Sequence, residues 1–205
     1  MIVLEISKGL NSRNKVLFDN DMTLSLYDKD IRRFSIVKGA EITDEDYHIL
    51  TQEVLLKRAK IRSLNLLKSR DYTTKELSDK LHQGGYPPFL VEAALAYVAS
   101  YGYLDDLRYA TRYIESARTS KSRKQINQEL YKKGITKDVT QEIWDQNTQQ
   151  NQETDEEELI RNLLQKKNYL PDSATEKDRR KIFAMLQRKG FSYTQIVNAL
   201  RFPFE

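Results

Sequence analysis

Asp105 and Asp106 lie in the run Gly-Tyr-Leu-Asp-Asp-Leu-Arg-Tyr-Ala, Gly102 to Ala110, and are the residues whose types most suggest chemistry. Adjacent carboxylates can hold a metal ion or divide acid and base roles. Successive helical residues point about 100° apart, however, so both carboxylates cannot readily face one ligand. The two histidines, His48 and His82, stand elsewhere in the chain and outside any nucleophilic triad order. Gly84-Gly85 lacks the Lys-Ser/Thr partner of a phosphate loop. The acidic run Asp155 to Glu158 has the composition of a solvated first helical turn. There is no cysteine, which excludes disulfides, thiol nucleophiles and thiolate metal sites. No catalytic residue, metal site or cofactor is expected, and the chain does not read as an enzyme. The acid pair reads instead as a helix start, with Asp105 as its cap and Asp106 at the positive end of its dipole.

The charge that remains to be explained is positive. There are 34 Lys and Arg against 30 Asp and Glu, a net charge of +4, which permits nucleic-acid binding without requiring it. One basic cluster includes Arg58 and Arg62. A second runs through Lys121, Arg123 and Lys124 to Lys132 and Lys133. A third runs through Arg179, Arg180 and Lys181 to Arg188 and Lys189. The last two clusters repeat a pattern, basic at the entry of a helix and basic at its end. In a stacked array, equivalent positions align on one surface and make a ladder of cations for a polyanion. Lys and Arg also favour the last turn of any helix, which is the structural alternative. Tyr97, Tyr101, Tyr103, Tyr109 and Tyr113 are expected in core and inter-helix packing rather than in a base-stacking platform.

Helices must position these residues. Hydrophobic residues form 39% of the chain and the mean hydropathy is −0.69, so apolar residues lie in narrow stripes. From about Thr43 onward the hydrophobic period is helical, beginning with Leu55, Leu56, Ala59, Ser63, Leu66 and Leu67. Three segments share a further pattern: Leu77-Leu81-Gly85-Tyr86, Ile126-Leu130-Gly134-Ile135 and Ile182-Leu186-Gly190-Phe191. Each pairs apolar residues on one helical face, ends the helix on a left-handed glycine and folds an apolar residue back onto the last turn. A second apolar pair follows each glycine: Val91 and Leu95, Val139 and Ile143, Ile196 and Leu200. The glycines are 49 and 56 residues apart, the spacing of a repeat protein. An acidic start precedes each unit at Ile42 to Tyr47, Leu104 to Tyr109 and Thr154 to Leu159. In the first two, an apolar residue and an aromatic flank the cap as a hydrophobic staple.

The first 42 residues differ. Ile2, Leu4 and Ile6 alternate as one face of a half-buried strand. Lys15 to Tyr27 reads as two short strands joined at Asn20-Asp21, and Asp28 to Ile36 as a short helix. The expected fold is therefore mainly α: tandem three-helix, helix-turn-helix-like repeats in an elongated curved array, behind a small β-rich N-terminal domain. The expected boundaries are 1–42, 43–102, 103–150 and 151–205.

The run Glu76 to Tyr86 and the stretch Val91 to Ile135 resemble the RecX family of bacterial regulators of the RecA recombinase, most specifically over Gly102 to Ala110 and the Gly-ended helix after it. The resemblance covers about residues 1–200 and is strongest over 55–145. It implies a non-enzymatic protein that binds RecA and lodges in the groove of the RecA–single-stranded DNA filament. There it would suppress strand exchange, ATP hydrolysis and coprotease activity, modulating recombinational repair and the SOS response. Asp105, Asp106, Arg108, Tyr109 and Ala110, with Gly85, Gly134 and Gly190, are then structural signature residues. The basic residues named above would contact RecA, single-stranded DNA and double-stranded DNA. The third unit departs from the pattern, lacking the aromatic-Ala pair and carrying a longer connection from Lys166 to Asp178.

Two other readings stand beside this one. One is a stand-alone DNA-binding module that places a helix in a groove. The other is a helical scaffold for an unrelated protein. No run of about 18 apolar residues exists, and the charges of the N-terminus follow its apolar stretch rather than precede it. A cytoplasmic monomer without membrane contact is expected.

Overall fold

A computed structural model of the chain describes residues 1–9, 12–148, 154–171 and 173–200. The chain divides into two compact units, Met1–Asp105 and Asp106–Glu205.

The first unit opens with an antiparallel sheet of β1 (Val3–Lys8), β2 (Arg13–Phe18) and β3 (Thr23–Tyr27), in that order. Asn20 and Asp21 make the β2–β3 turn, where Asp21 takes φ +60° and the Asn20 side chain accepts from the Met22 N–H. The alternation expected in β1 is broken. Ile2 and Leu4 are 44% and 45% exposed, whereas Val3 is 1% exposed and packs with Ile6 on the core side. The register shifts between Val3 and Glu5, and this extra residue puts positions 3 and 6 on one face.

The sheet does not bury its face by itself. Val3, Val16, Phe18, Leu24 and Leu26 form one core with Leu50, Leu55 and Leu90 from the helices that follow. After α1 (Asp28–Arg33), Thr43 caps α2 (Asp44–His48), its hydroxyl accepting from the Asp46 N–H. A π-helical stretch, Ile49–Leu55, joins α2 to α3 (Leu56–Leu67). Then come α4 (Thr74–Gln83), with a Thr73–Glu76 capping box, and α5 (Pro88–Ser100), which opens on a proline. Two smaller cores bind α3, α4 and α5. Leu104 lies in the second with Tyr72, Leu77 and Val98.

The second unit holds two three-helix repeats: α6 (Asp106–Ala117), α7 (Arg123–Lys132) and α8 (Lys137–Thr148), then α9 (Thr154–Lys166), α10 (Glu176–Arg188) and α11 (Tyr193–Leu200). Each has its own core, one around Ala110, Ile114, Ile126, Leu130 and Ile143, the other around Ile160, Leu186, Phe191, Ile196 and Leu200.

The three repeated glycines end α4, α7 and α10 in the same way. Gly85, Gly134 and Gly190 take φ of +77°, +89° and +90°. Each donates its N–H three residues back, to His82, Tyr131 and Gln187. The next residue donates five back, to Leu81, Leu130 and Leu186. Tyr86, Ile135 and Phe191 are buried against the turns they close, which is the pattern of a left-handed helix end. Asn168 does the same after α9 at φ +51°, with Tyr169 folded back onto Leu164, an end that no glycine announces.

Candidate functional site

In the second unit, the start of α7 lies against the end of α10. Ser122 caps α7 by accepting from the Gln125 N–H at 3.3 Å, and its hydroxyl donates to the Lys189 carbonyl at 2.5 Å. A Cβ on Gly190 would stand 2.8 Å from Ser122 Oγ, so a hydrogen at this position is what allows the approach. Glu156 completes the joint. One carboxylate oxygen accepts the Arg123 backbone N–H at 2.7 Å and the other accepts Gln195 Nε2 at 2.6 Å. The basic entry of one repeat thus meets the glycine exit of the next.

Arg123 and Lys124 line the resulting groove, of about 950 Å3, with Asn127, Tyr131 and Gly190. The Arg123 guanidinium lies 5.0 Å from the Trp144 ring and donates to Gln141 at 3.2 Å. Lys124 and Lys132 are exposed, and Lys133 is half-buried with its ammonium 5.5 Å from the Tyr109 ring. Lys121 pairs with Glu129 at 2.6 Å and donates to the Tyr113 hydroxyl at 3.1 Å. Bonding to each other raises the lysine above its ordinary range and lowers the carboxyl below its own. On α10, Arg179 donates to the Pro171 carbonyl, Arg180 pairs with Glu176, and Lys181 and Arg188 are exposed. Lys189 is half-buried, its carbonyl being the one that Ser122 holds.

The signature run marks the boundary between the compact units. Asp105 is exposed and immediately precedes α6, whose first residue is Asp106. Arg108 is exposed. Tyr109 stacks on Tyr113 at 6.4 Å and 7°, and Ala110 is fully buried in the core of its repeat. Tyr101 and Tyr103, expected in the packing, are instead exposed and stacked on each other at 6.2 Å. They flank Gly102, whose left-handed turn ends α5 and carries both rings outward. The side chain of Asp155 lies outside the described residues.

In the first unit, Arg58 has an internal partner. It donates to both oxygens of Asp30, at 2.5 and 2.7 Å, and Asp30 is 3% exposed. Burial alone would raise the Asp30 carboxyl. The bonds from Arg58 and from the Tyr27 N–H outweigh that and hold it below its ordinary value. Arg62 is exposed one turn further along α3 and faces a cleft shared with Arg13, Tyr27, Lys80 and Tyr86. Arg13 and Lys80 carried no sequence signal: one is a strand residue and the other lies in the last turn of α4. Only the docking of sheet on repeat brings them together. Among the described residues, no three His, Asp or Glu side chains converge as metal ligands.

Family models for the first, second and third three-helix domains of RecX match residues 59–97, 105–142 and 155–200. The chain belongs to the RecX family. It is 26% identical over 201 residues to a protein named regulatory protein RecX from Caldanaerobacter subterraneus subsp. tengcongensis, covering 98% of both chains. It is 27% identical over 202 residues to the one from Clostridium acetobutylicum, covering 97% of this chain and 93% of that one. A crystal structure of regulatory protein RecX shares its fold with a TM-score of 0.64 over 98% of each chain at 21% identity. RecX from Lactobacillus salivarius gives 0.59 over 71% of this chain and 94% of that one at 23% identity. Tandem three-helix domains behind a small three-stranded sheet are thus the architecture of this RecX-family chain. Among the described residues, no helix is long and apolar enough to cross a membrane.

Proposed function

We propose that this chain regulates a RecA recombinase by binding the RecA–single-stranded DNA filament. On this reading it restrains strand exchange, ATP hydrolysis and coprotease activity, and so acts on recombinational repair and the SOS response in the cytoplasm. It does so by occupancy, without chemistry of its own. The observation that carries the reading is the groove at the joint of the last two repeats, where Arg123 and Lys124 stand beside the glycine turn of α10. Its wall joins one face of α7 to the glycine turn of α10, and its cations, the exposed Lys124 and the half-buried Arg123, suit an acidic protein groove or a phosphate backbone. The kinship with proteins named as RecX regulators supports the same partner.

The test is ATP hydrolysis by RecA on single-stranded DNA with the full chain titrated in. Inhibition near stoichiometry is expected, and Arg123→Glu with Lys124→Glu should weaken it by an order of magnitude or more. An unchanged hydrolysis rate, with no association to the filament in co-sedimentation, overturns the proposal. Tight binding to naked duplex with a steep salt dependence, in the absence of any effect on RecA, would instead favour a stand-alone DNA-binding module.

A further inference from the structure

The cleft between the N-terminal sheet and the first repeat has the composition of a site. Its volume is about 590 Å3, and its lining brings four cations from three elements: Arg13 of β2, Arg58 and Arg62 of α3, and Lys80 of α4. No carboxylate lines it. Asp30 lies behind the wall, buried, and both its oxygens are taken by Arg58. That pair cancels one charge, which leaves Arg13, Arg62 and Lys80 facing one another without a counter-ion in the lining.

Arg13 is held in place. One of its terminal nitrogens donates to the Gly84 carbonyl at the end of α4. Its guanidinium carbon lies 5.0 Å from the Tyr27 ring and 5.8 Å from the Tyr86 ring, and its Nε is buried without a hydrogen-bond partner. Gly85 admits this arrangement because a side chain there would collide with Ser25 on the adjacent strand. A guanidinium fixed in this way loses little freedom when it meets an anion, and with one terminal nitrogen on Gly84 and Nε buried it meets a phosphate oxygen through its other terminal nitrogen.

The tyrosines decide what part of a ligand is read. The Tyr27 ring is flanked by Arg13 and Arg58, and Tyr86 is buried, so neither offers an open face for stacking a base. Ile61 is the one aliphatic side chain in the lining, whereas a peptide site would present an apolar anchor pocket. Cations without a carboxylate, a stacking platform or an apolar anchor fit a chain of phosphates.

We propose that this cleft, built jointly by the sheet and the first repeat, binds the sugar–phosphate backbone of single-stranded nucleic acid, with Arg13 as its fixed anchor and Arg62 and Lys80 as its outer contacts. The inference deepens the filament reading and rests on it for the identity of the strand. It can be tested without RecA.

The experiment is fluorescence anisotropy of the full chain with labelled oligothymidine over a range of salt. The parent protein should bind oligothymidine and an abasic sugar–phosphate oligomer alike, and should not bind an uncharged methylphosphonate oligomer. Arg62→Glu and Lys80→Glu should each weaken binding about tenfold at low salt, with the slope of log affinity against log salt falling by about 0.7 per lost contact. Arg13→Lys keeps the charge but loses the planar group that is held on the Gly84 carbonyl, and should also weaken binding. Lys167→Glu, an exposed reversal outside the cleft, controls for net charge, and thermal melts establish that each variant is folded. Two results would overturn the assignment: cleft variants no weaker than Lys167→Glu, or equal binding of polyglutamate. Loss of RecA inhibition with oligomer binding intact would strike the filament reading alone.

Discussion

The buried Asp30 of α1 pairs with the half-buried Arg58 of α3. Removing one partner leaves the other charge poorly compensated, so Asp30→Asn should cost about 3 kcal/mol in chemical denaturation. The pH dependence has a definite sign. The folded carboxyl lies below its ordinary value, near 4 in the unfolded chain. Its contribution is therefore complete above about pH 4 and is lost as the pH falls through the lower folded value. The Asn variant should show a flatter acid limb than the parent, and an identical limb would mean the pair does not govern acid unfolding. Gly190 and Gly39 offer a second comparison at this scale. Both are left-handed, at φ +90° and +82°, but an added Cβ would meet nothing at Gly39 and Ser122 at Gly190. Gly39→Ala should cost about 1–2 kcal/mol from backbone strain alone. Gly190→Ala should cost more in the same melts. Equal losses would show that the approach of Ser122 contributes nothing.

At the scale of elements, helix ends are both the terminators of the repeats and their points of contact. The glycine turn of α4 meets the sheet through Arg13 and Ser25, and that of α10 meets α7 through Ser122. Glu156 fastens the second joint from the first turn of α9. Glu156→Ala should cost about 1–2 kcal/mol and speed amide hydrogen exchange at Arg123 while leaving exchange in the centre of α6 unchanged. Uniform acceleration across the unit would mean that Glu156 serves global stability rather than this joint. Asp105, immediately before α6, belongs here too. Asp105→Ala should lower stability by about 1 kcal/mol, the ordinary cost of a lost cap, with RecA inhibition intact. Loss of inhibition without loss of stability would assign the acid pair to binding instead.

At the scale of the molecule, two cavities gather basic residues: Arg13, Arg58, Arg62 and Lys80 line the cleft of the first unit, and Arg123 and Lys124 line the groove between the last two repeats. Several candidates named from sequence have intramolecular partners: Arg58 with Asp30, Lys121 with Glu129, and Arg180 with Glu176. An exposed pair such as Arg180–Glu176 contributes little and exchanges readily for another anion, whereas Arg58 is committed to the fold. Reversal of Arg123 and Lys124 should therefore reduce regulation of RecA more than reversal of Lys121, read as the concentration giving half-inhibition of ATP hydrolysis.

The sequence by itself determined the helical repetition and the glycine ends of α4, α7 and α10. A left-handed glycine followed by an apolar residue is a local steric signal, and all three such turns form as read. It also placed both hairpin strands and the change of period near Thr43. It missed the register of β1, because the bulge between Val3 and Glu5 shows only when the partner strand is present. It missed the exposure of Tyr101 and Tyr103, because a helical stripe does not say where the neighbouring helix stops. Which cations meet was decided by tertiary structure alone. Arg13 and Gly84 are 71 residues apart, and Ser122 and Lys189 are 67 apart. No periodicity links such positions. They meet because apolar faces must be buried against one another, and the charged residues at their rims are carried along.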